Sequence, residues 1–145
     1  LSREEFERII DGDYAFLLTN PQNLCREFYV ACVSQVMRPK VIVDYEREPF
    51  VFDAGTVRIT FDSNLRAAAA TGDIFNPNLP TYDVLPYGKT ILEVKFTEFF
   101  PQFIREMLPP GAQDLSAISK YVLCYEQMHH RSDVLSMLTK SEKAW

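Results

Sequence analysis

Two stretches of the sequence carry polar or charged residues at alternate positions, and their charged members could bind an anion and a metal ion. In residues 56–62, Arg58 stands among Val, Ile and Phe, and in residues 90–97 Glu93 and Lys95 do the same. Because successive side chains of a β-strand point to opposite faces, each stretch predicts a strand with one apolar and one charged face. Arg and Lys bind phosphate oxygens, and a carboxylate suits a divalent cation.

This charged face has two interpretations. In a two-layer α+β protein it would be exposed to water. Alternatively it lines an anion-binding tunnel, because like charges on neighbouring strands repel each other unless an anion neutralises them. Arg47, Arg58 and Lys95 would then form a basic surface, and Asp62 and Glu93 would suit a divalent cation.

Turn signals and β-branched residues predict the strands that position these side chains. The predicted strands cover residues 41–47, 50–53, 56–62 and 90–97, with a turn at Ala54-Gly55. Between the third and fourth strands we expect an irregular loop rich in Pro and Asn, with a short helical segment around residues 65–70.

Capping residues and prolines predict the helices. Ser2 and Glu5 have capping-box spacing for a first helix, and Asn20-Pro21 is typical of the start of a second helix that ends before Pro39. A third helix is predicted to start at Pro101 and to be stopped by Pro109-Pro110-Gly111, and a fourth to be capped by Ser116. Residues 132–140 are expected to add a last amphipathic turn or two.

The composition favours a single domain over residues 1–145, since 47% of the residues are hydrophobic and can form a core. The net charge of -5 argues against a broad nucleic-acid-binding face, so a polyanion would need a local basic site. We expect neither a membrane span nor a signal peptide in this segment. The odd number of cysteines, without a C-x-x-C pair, predicts free thiols and a cytoplasmic location.

Four segments resemble consecutive motifs of bacterial VTC (vacuolar transporter chaperone) domain proteins, which belong to the CYTH, or triphosphate tunnel metalloenzyme, superfamily. The segments are residues 38–47, 57–62, 91–96 and 119–123, and the opening helices resemble the family's middle region. The resemblance implies an α+β fold in which an antiparallel β-tunnel, with helices packed outside, grips a triphosphate or polyphosphate.

The resemblance also implies roles for residues on the predicted strands. Tyr45 and Arg47 match the family's Tyr-x-Arg on a tunnel strand, and Arg58 matches its next phosphate-binding arginine. Glu93 matches the metal-binding glutamate of a Leu-Glu-Val-Lys strand and would hold Mg²⁺ or Mn²⁺. Lys95 adds a basic group on the same face.

On the last predicted helix, Ser119 and Lys120 match the family's Ser-Lys pair, which can close over phosphate oxygens. The eukaryotic polymerases of the family have a further lysine where this chain has Ala117. These polymerases transfer the γ-phosphate of ATP to a growing polyphosphate chain with a divalent metal. The resemblance implies the same reaction here, with Arg47, Arg58, Lys95 and Lys120 as the catalytic basic groups.

Three alternatives stay open at this point. One is a metal-dependent triphosphatase, in which water accepts the phosphoryl group, and another is a module that binds polyphosphate without turning it over. The third is a structural α+β domain whose basic face is solvated.

The family's first half, which carries its own basic strands, has no counterpart in the sequence. Four strands do not close a tunnel, and proteins normally cover the open edges of a sheet. We therefore expect residues 1–145 to form the C-terminal half of a single polyphosphate-binding domain. Its N-terminal half would come from the same or another chain.

Overall fold

The computed structural model describes residues 1–71, 73–108 and 117–141, with side chains up to Arg131. The chain forms two compact units, one over Leu1–Lys40 and a second that begins at Val41. All of the predicted site residues belong to the second unit. The single domain expected over residues 1–145 stays a prediction.

The first unit is helical. Helix α1 covers Arg3–Ile10, a 3-10 helix covers Ala15–Thr19, and α2 covers Asn23–Ser34. The predicted capping box is confirmed, since Ser2 and Glu5 each accept a hydrogen bond from the other's backbone N–H. Helix α2 begins after the predicted Asn20-Pro21, because the Asn20 side chain accepts from Gln22 in a turn that precedes the helix.

The core of this unit joins side chains from all three helical segments. Ile9, Tyr14, Leu17 and Cys32 are buried together. All three cysteines of the chain are free thiols, as predicted.

The second unit is built on an antiparallel sheet whose central strand is β2, Val57–Ala69. Strand β1, Val41–Phe52, pairs with β2 along its length. The opposite edge of β2 pairs with β4, Ile91–Lys95, at one end and with the short β3, Tyr82–Asp83, at the other. Within the described ranges this sheet is open, so the closed tunnel stays a prediction.

One strand prediction and one helix prediction were wrong. Residues 41–47 and 50–53 form one strand through Pro49, and β1 pairs only with β2 among the strands described. An edge strand tolerates proline where the missing N–H would face outward. The helical segment around residues 65–70 is instead part of β2, because Leu65 and Ala67 pack in a core with Ile91 and Cys124.

Helices lie on both faces of the sheet. Helix α3, Gln102–Met107, follows Pro101 as predicted, and Phe103 and Ile104 line an apolar groove with strand residues such as Val57. Helix α4, Lys120–Ser141, lies on the other face and contributes Cys124 to the core there. Among the helices described, none has the length and apolar composition needed to cross a bilayer.

The start of α4 differs from the prediction. Ser116 and the predicted stop at 109–111 lie outside the described residues, but residues 117–119 are not helical. Ser119 takes the cap position, since its Oγ accepts a hydrogen bond from the Val122 backbone N–H at 3.4 Å. From Lys120 the helix runs without a break through residues 132–140, which were predicted as separate turns.

Candidate functional site: a basic sheet face around a buried carboxylate

Strand pairing confirms the predicted alternation on β2 and β4. Arg58 lies opposite Lys95, and Thr60 lies opposite Glu93. Directly opposite residues of an antiparallel pair share a face, so these four side chains belong to one surface. On the other face of β2, Val57, Ile59 and Phe61 line the apolar groove.

Asp62 is the centre of this surface. It is fully buried and lies opposite Arg47 of β1. Arg47 donates to both carboxylate oxygens, from Nε at 2.6 Å and from Nη2 at 2.8 Å. Lys120, at the start of α4, places its Nζ 2.6 Å from Oδ2. One carboxylate therefore holds two basic side chains that come from a strand and a helix.

These contacts strongly shift the pKa values of Asp62 and Arg47. The hydrogen bonds from Arg47 are the main cause that lowers the pKa of Asp62 to about 2; desolvation opposes them and Lys120 lowers the pKa further. The same pairing raises the pKa of Arg47. Asp62 is therefore ionised at neutral pH although it is buried, because hydrogen bonds to the charged form outweigh its desolvation.

Tyr45 lies beside both of these cations. The Arg47 guanidinium carbon and the Lys120 Nζ are each 5.2 Å from the centre of its ring. Cations at this distance from an aromatic ring are attracted by its negative face. Tyr45 thus helps to hold the two basic groups on the same side of the sheet.

Glu93 has cationic neighbours of its own. Lys95 Nζ is 2.8 Å from Oε1, and Arg47 Nη2 is 3.9 Å from Oε2. The hydrogen bond from Lys95 is the main cause that lowers the pKa of Glu93. The Lys95 side chain is nevertheless 70% exposed, so its ammonium remains open to an anion from solution.

Arg58 completes the surface and differs from the other basic residues. It is exposed and has no hydrogen-bond or ion-pair partner among the described residues. Its cross-strand neighbour is the ammonium-bearing Lys95. Two like charges directly opposite each other are destabilising, so this pair favours a bound anion.

A family model, the VTC domain, matches residues 2–129. The chain belongs to the VTC domain family. This membership is consistent with a polyphosphate-related function. No curated protein matches the chain, and neither does any solved structure.

In this VTC domain the structure places six of the predicted site residues on or beside one face of the sheet: Tyr45, Arg47, Arg58, Glu93, Lys95 and Lys120. Their roles in binding and catalysis stay predictions. Ser119 lies next to Lys120, where its oxygen caps α4 and its hydroxyl hydrogen stays available to donate. Arg66 of β2 is paired with Asp44, with its Nη2 2.8 Å from the Asp44 Oδ2.

Sequence reasoning missed the role of two residues of the face. Asp62 was grouped with Glu93 as a ligand for a divalent cation, but it is occupied by Arg47 and Lys120. Thr60 was not singled out, and its hydroxyl is buried without a hydrogen-bond partner among the described residues. Alternation signalled that both side chains belong to the charged face; only the register and α4 show what surrounds them.

Proposed function

We propose that this VTC domain binds inorganic polyphosphate or another triphosphate on the basic face of its sheet and transfers a phosphoryl group from ATP to polyphosphate. The observation that carries the proposal is that basic side chains from three strands and a helix lie on one face of the sheet, two of them bound to the buried Asp62. These side chains are Arg47, Arg58, Lys95 and Lys120.

The binding step rests on charge. The chain as a whole is acidic, with a net charge of -5, yet this face carries more basic than acidic side chains. Among the described residues Arg58 has no ion-pair partner, and it faces Lys95 across the strands, so a phosphate between them would relieve their repulsion. A polyanion is therefore held locally rather than by the overall charge of the protein.

The transfer step needs mainly positioning and charge neutralisation. Arg47 and Lys120, fixed by Asp62, would hold phosphate oxygens, and Tyr45 and Ser119 would donate hydrogen bonds to them. The bond between the γ-phosphorus and its bridging oxygen breaks, and a bond forms from a terminal oxygen of polyphosphate to that phosphorus. ADP is the leaving group.

Glu93 is the candidate metal ligand. A Mg²⁺ or Mn²⁺ ion would supply charge neutralisation at the phosphates. Glu93 suits a cation that binds one protein carboxylate and completes its coordination shell with phosphate oxygens and water, as Mg²⁺ commonly does. Lys95, which now lies 2.8 Å from Glu93, would turn toward the phosphate in that complex.

A second function, binding of polyphosphate without turnover, is favoured by one observation. Glu93 is already paired with cations, and in the part of the chain that the structure describes no three His, Cys, Asp or Glu residues form a group that could hold a metal. Removal of Glu93 separates the two functions, because an enzyme loses turnover whereas a binding module keeps its affinity for polyphosphate.

The open sheet supports a proposal about further strands. Among the described strands β1 pairs only with β2, so its 12 residues offer a free edge. We infer that strands from the N-terminal half of the domain, in the same or another chain, pair there and close a CYTH-type tunnel over the basic face. We further infer a cytoplasmic location from the free thiols, and no nucleic-acid partner from the acidic composition.

The first test is thermal stabilisation of the intact protein by tripolyphosphate with Mn²⁺. A ligand at a hundred times its Kd stabilises the folded protein by about 2.7 kcal/mol. This stabilisation should disappear in the double variant Arg58→Ala, Glu93→Ala. The matched control is Arg105→Ala, Glu106→Ala on α3, which removes the same residue types away from the basic face.

Failure of tripolyphosphate to stabilise the unchanged protein would refute the proposal. If it does stabilise, incubation with ATP and Mn²⁺ identifies the reaction from its products. Polyphosphate growth indicates the polymerase, release of inorganic phosphate alone indicates a triphosphatase, and unchanged ATP indicates a binding module.

A further inference from the structure

In the protein without a ligand, the hydroxyl of Thr60 is buried but forms no hydrogen bond with the described residues. Thr60 is 4% exposed, and its Oγ1 has no hydrogen-bond partner among the described residues. Burying a hydroxyl without a partner costs free energy, and most buried polar groups are paired. Valine has nearly the same shape, suits a strand equally well and would avoid this cost.

The strand register explains why the hydroxyl is unpaired. On the β1 side Thr60 lies opposite Pro49, whose side chain offers no hydrogen-bonding group. On the β4 side it lies opposite Glu93, whose carboxylate is directed to Lys95 and Arg47 instead. Neither cross-strand neighbour therefore bonds to the hydroxyl of Thr60.

Its position is in the middle of the basic face. Arg58 and Asp62 are two residues away on the same strand and share its face. Among the neighbouring long side chains, those of Arg47 and Glu93 are 31% and 37% exposed and that of Lys95 is 70% exposed. Lys95 is the most exposed of them, so a phosphate that draws Lys95 away from Glu93 can reach the sheet there.

We propose that Thr60 is a binding residue of this face and that its hydroxyl donates a hydrogen bond to a phosphate oxygen of the bound polyphosphate or triphosphate. The proposal deepens the function given above and rests on it. The hydroxyl is left unpaired in the free protein because its partner belongs to the ligand. Its loss should therefore have opposite effects on the free and the bound states.

Thr60→Val tests this, with tripolyphosphate as the probe. The variant should unfold at the same or a higher temperature than the unchanged protein, because an unpaired buried hydroxyl has been removed. Isothermal titration calorimetry should show a Kd for tripolyphosphate raised by at least about tenfold, since a hydrogen bond to a charged group is lost. Thr60→Ser keeps the hydroxyl and should bind within about threefold of the unchanged protein.

Tyr14→Phe provides a matched control. The Tyr14 hydroxyl is the other buried side-chain group without a partner in the described ranges, and it belongs to the first unit. Its removal should also preserve or raise the unfolding temperature, but it should leave the Kd for tripolyphosphate unchanged.

Three results would overturn the inference. Equal binding by Thr60→Val would show that the hydroxyl does not contact the ligand. A clear loss of thermal stability in Thr60→Val, with Tyr14→Phe stable, would show that the hydroxyl is already bonded in the free protein. No binding by the unchanged protein would refute the proposed function and this inference together, whereas the first two results leave the proposed function intact.

Discussion

Replacement of Asp62 by Asn should destabilise the protein through loss of a buried charge rather than loss of packing. Asp62 is fully buried and accepts hydrogen bonds from two cations. Its pKa is lowered from the ordinary 3.8 to about 2. A shift of this size corresponds to about 2 kcal/mol of stability at neutral pH, at about 1.36 kcal/mol per pKa unit.

The upper bound on the destabilisation by Asp62→Asn comes from Arg47 and Lys120, which lose their anionic partner. Removing one partner of a buried ion pair costs about 3–5 kcal/mol, because a charge is left uncompensated. The Arg47 side chain is 31% exposed and can recover part of its hydration, and Asn retains one acceptor. We therefore expect Asp62→Asn to lower the free energy of unfolding by about 2–3 kcal/mol in urea at pH 7.

The pH dependence identifies the cause. A carboxyl whose pKa is lower in the folded state stabilises fully above its unfolded pKa and loses this contribution as pH falls toward its folded pKa. The difference between the unchanged protein and Asp62→Asn should thus be constant above about pH 5 and lose roughly half of the ionic contribution by pH 3. Asp44→Asn, which removes a half-exposed partner of Arg66, should cost no more than about 1 kcal/mol. A cost for Asp62→Asn that is equally small, or independent of pH, would refute the reasoning.

Two further substitutions test how the elements around the site are built. Gly55→Ala should destabilise by more than about 2 kcal/mol in urea unfolding, because Gly55 has φ +80° and an added Cβ would lie 2.6 Å from the Phe99 carbonyl oxygen. Gly88→Ala, at φ +77° with no atom within 4 Å of that Cβ, should cost only about 1–2 kcal/mol, and equal costs would contradict the clash. Ser119→Ala should cost about 1 kcal/mol in the same assay because α4 loses its cap, with Ser119→Asn largely restoring it; an unchanged stability would argue against the cap.

The sequence predicted the faces of the sheet better than its extent. Because side chains alternate between the two faces of a strand, alternation assigns Arg58, Glu93 and Lys95 to the charged faces of their strands. The strand register confirms that the three share a surface. The end of β2 was placed at residue 62 because alternation stops there. The strand continues because Leu65 and Ala67 are buried under α4, which is a tertiary effect that no local pattern reports.

The role of Asp62 depends on contacts that are distant in sequence. Its partners are 15 residues before it and, in Lys120, more than fifty residues after it. A carboxylate on a charged strand face suits a metal ion and an ion pair equally well until the start of α4 is known. That start was also predicted too early, since Ser116 and Ser119 are both suitable caps and the sequence does not distinguish them.

The ion pairs divide the basic face into a fixed part and an adaptable part. Arg47 and Lys120 are held by the buried carboxylate of Asp62. A ligand that drew both of them away would leave that buried charge without a partner. Arg58 and Lys95 are exposed, and within the described ranges only Lys95 has an acidic partner, which is itself partly exposed. A polyphosphate chain presents the same phosphate unit along its length. In the proposed function, the fixed pair would therefore set the position of the chain, and the exposed pair would bind whichever phosphate unit lies between Arg58 and Lys95.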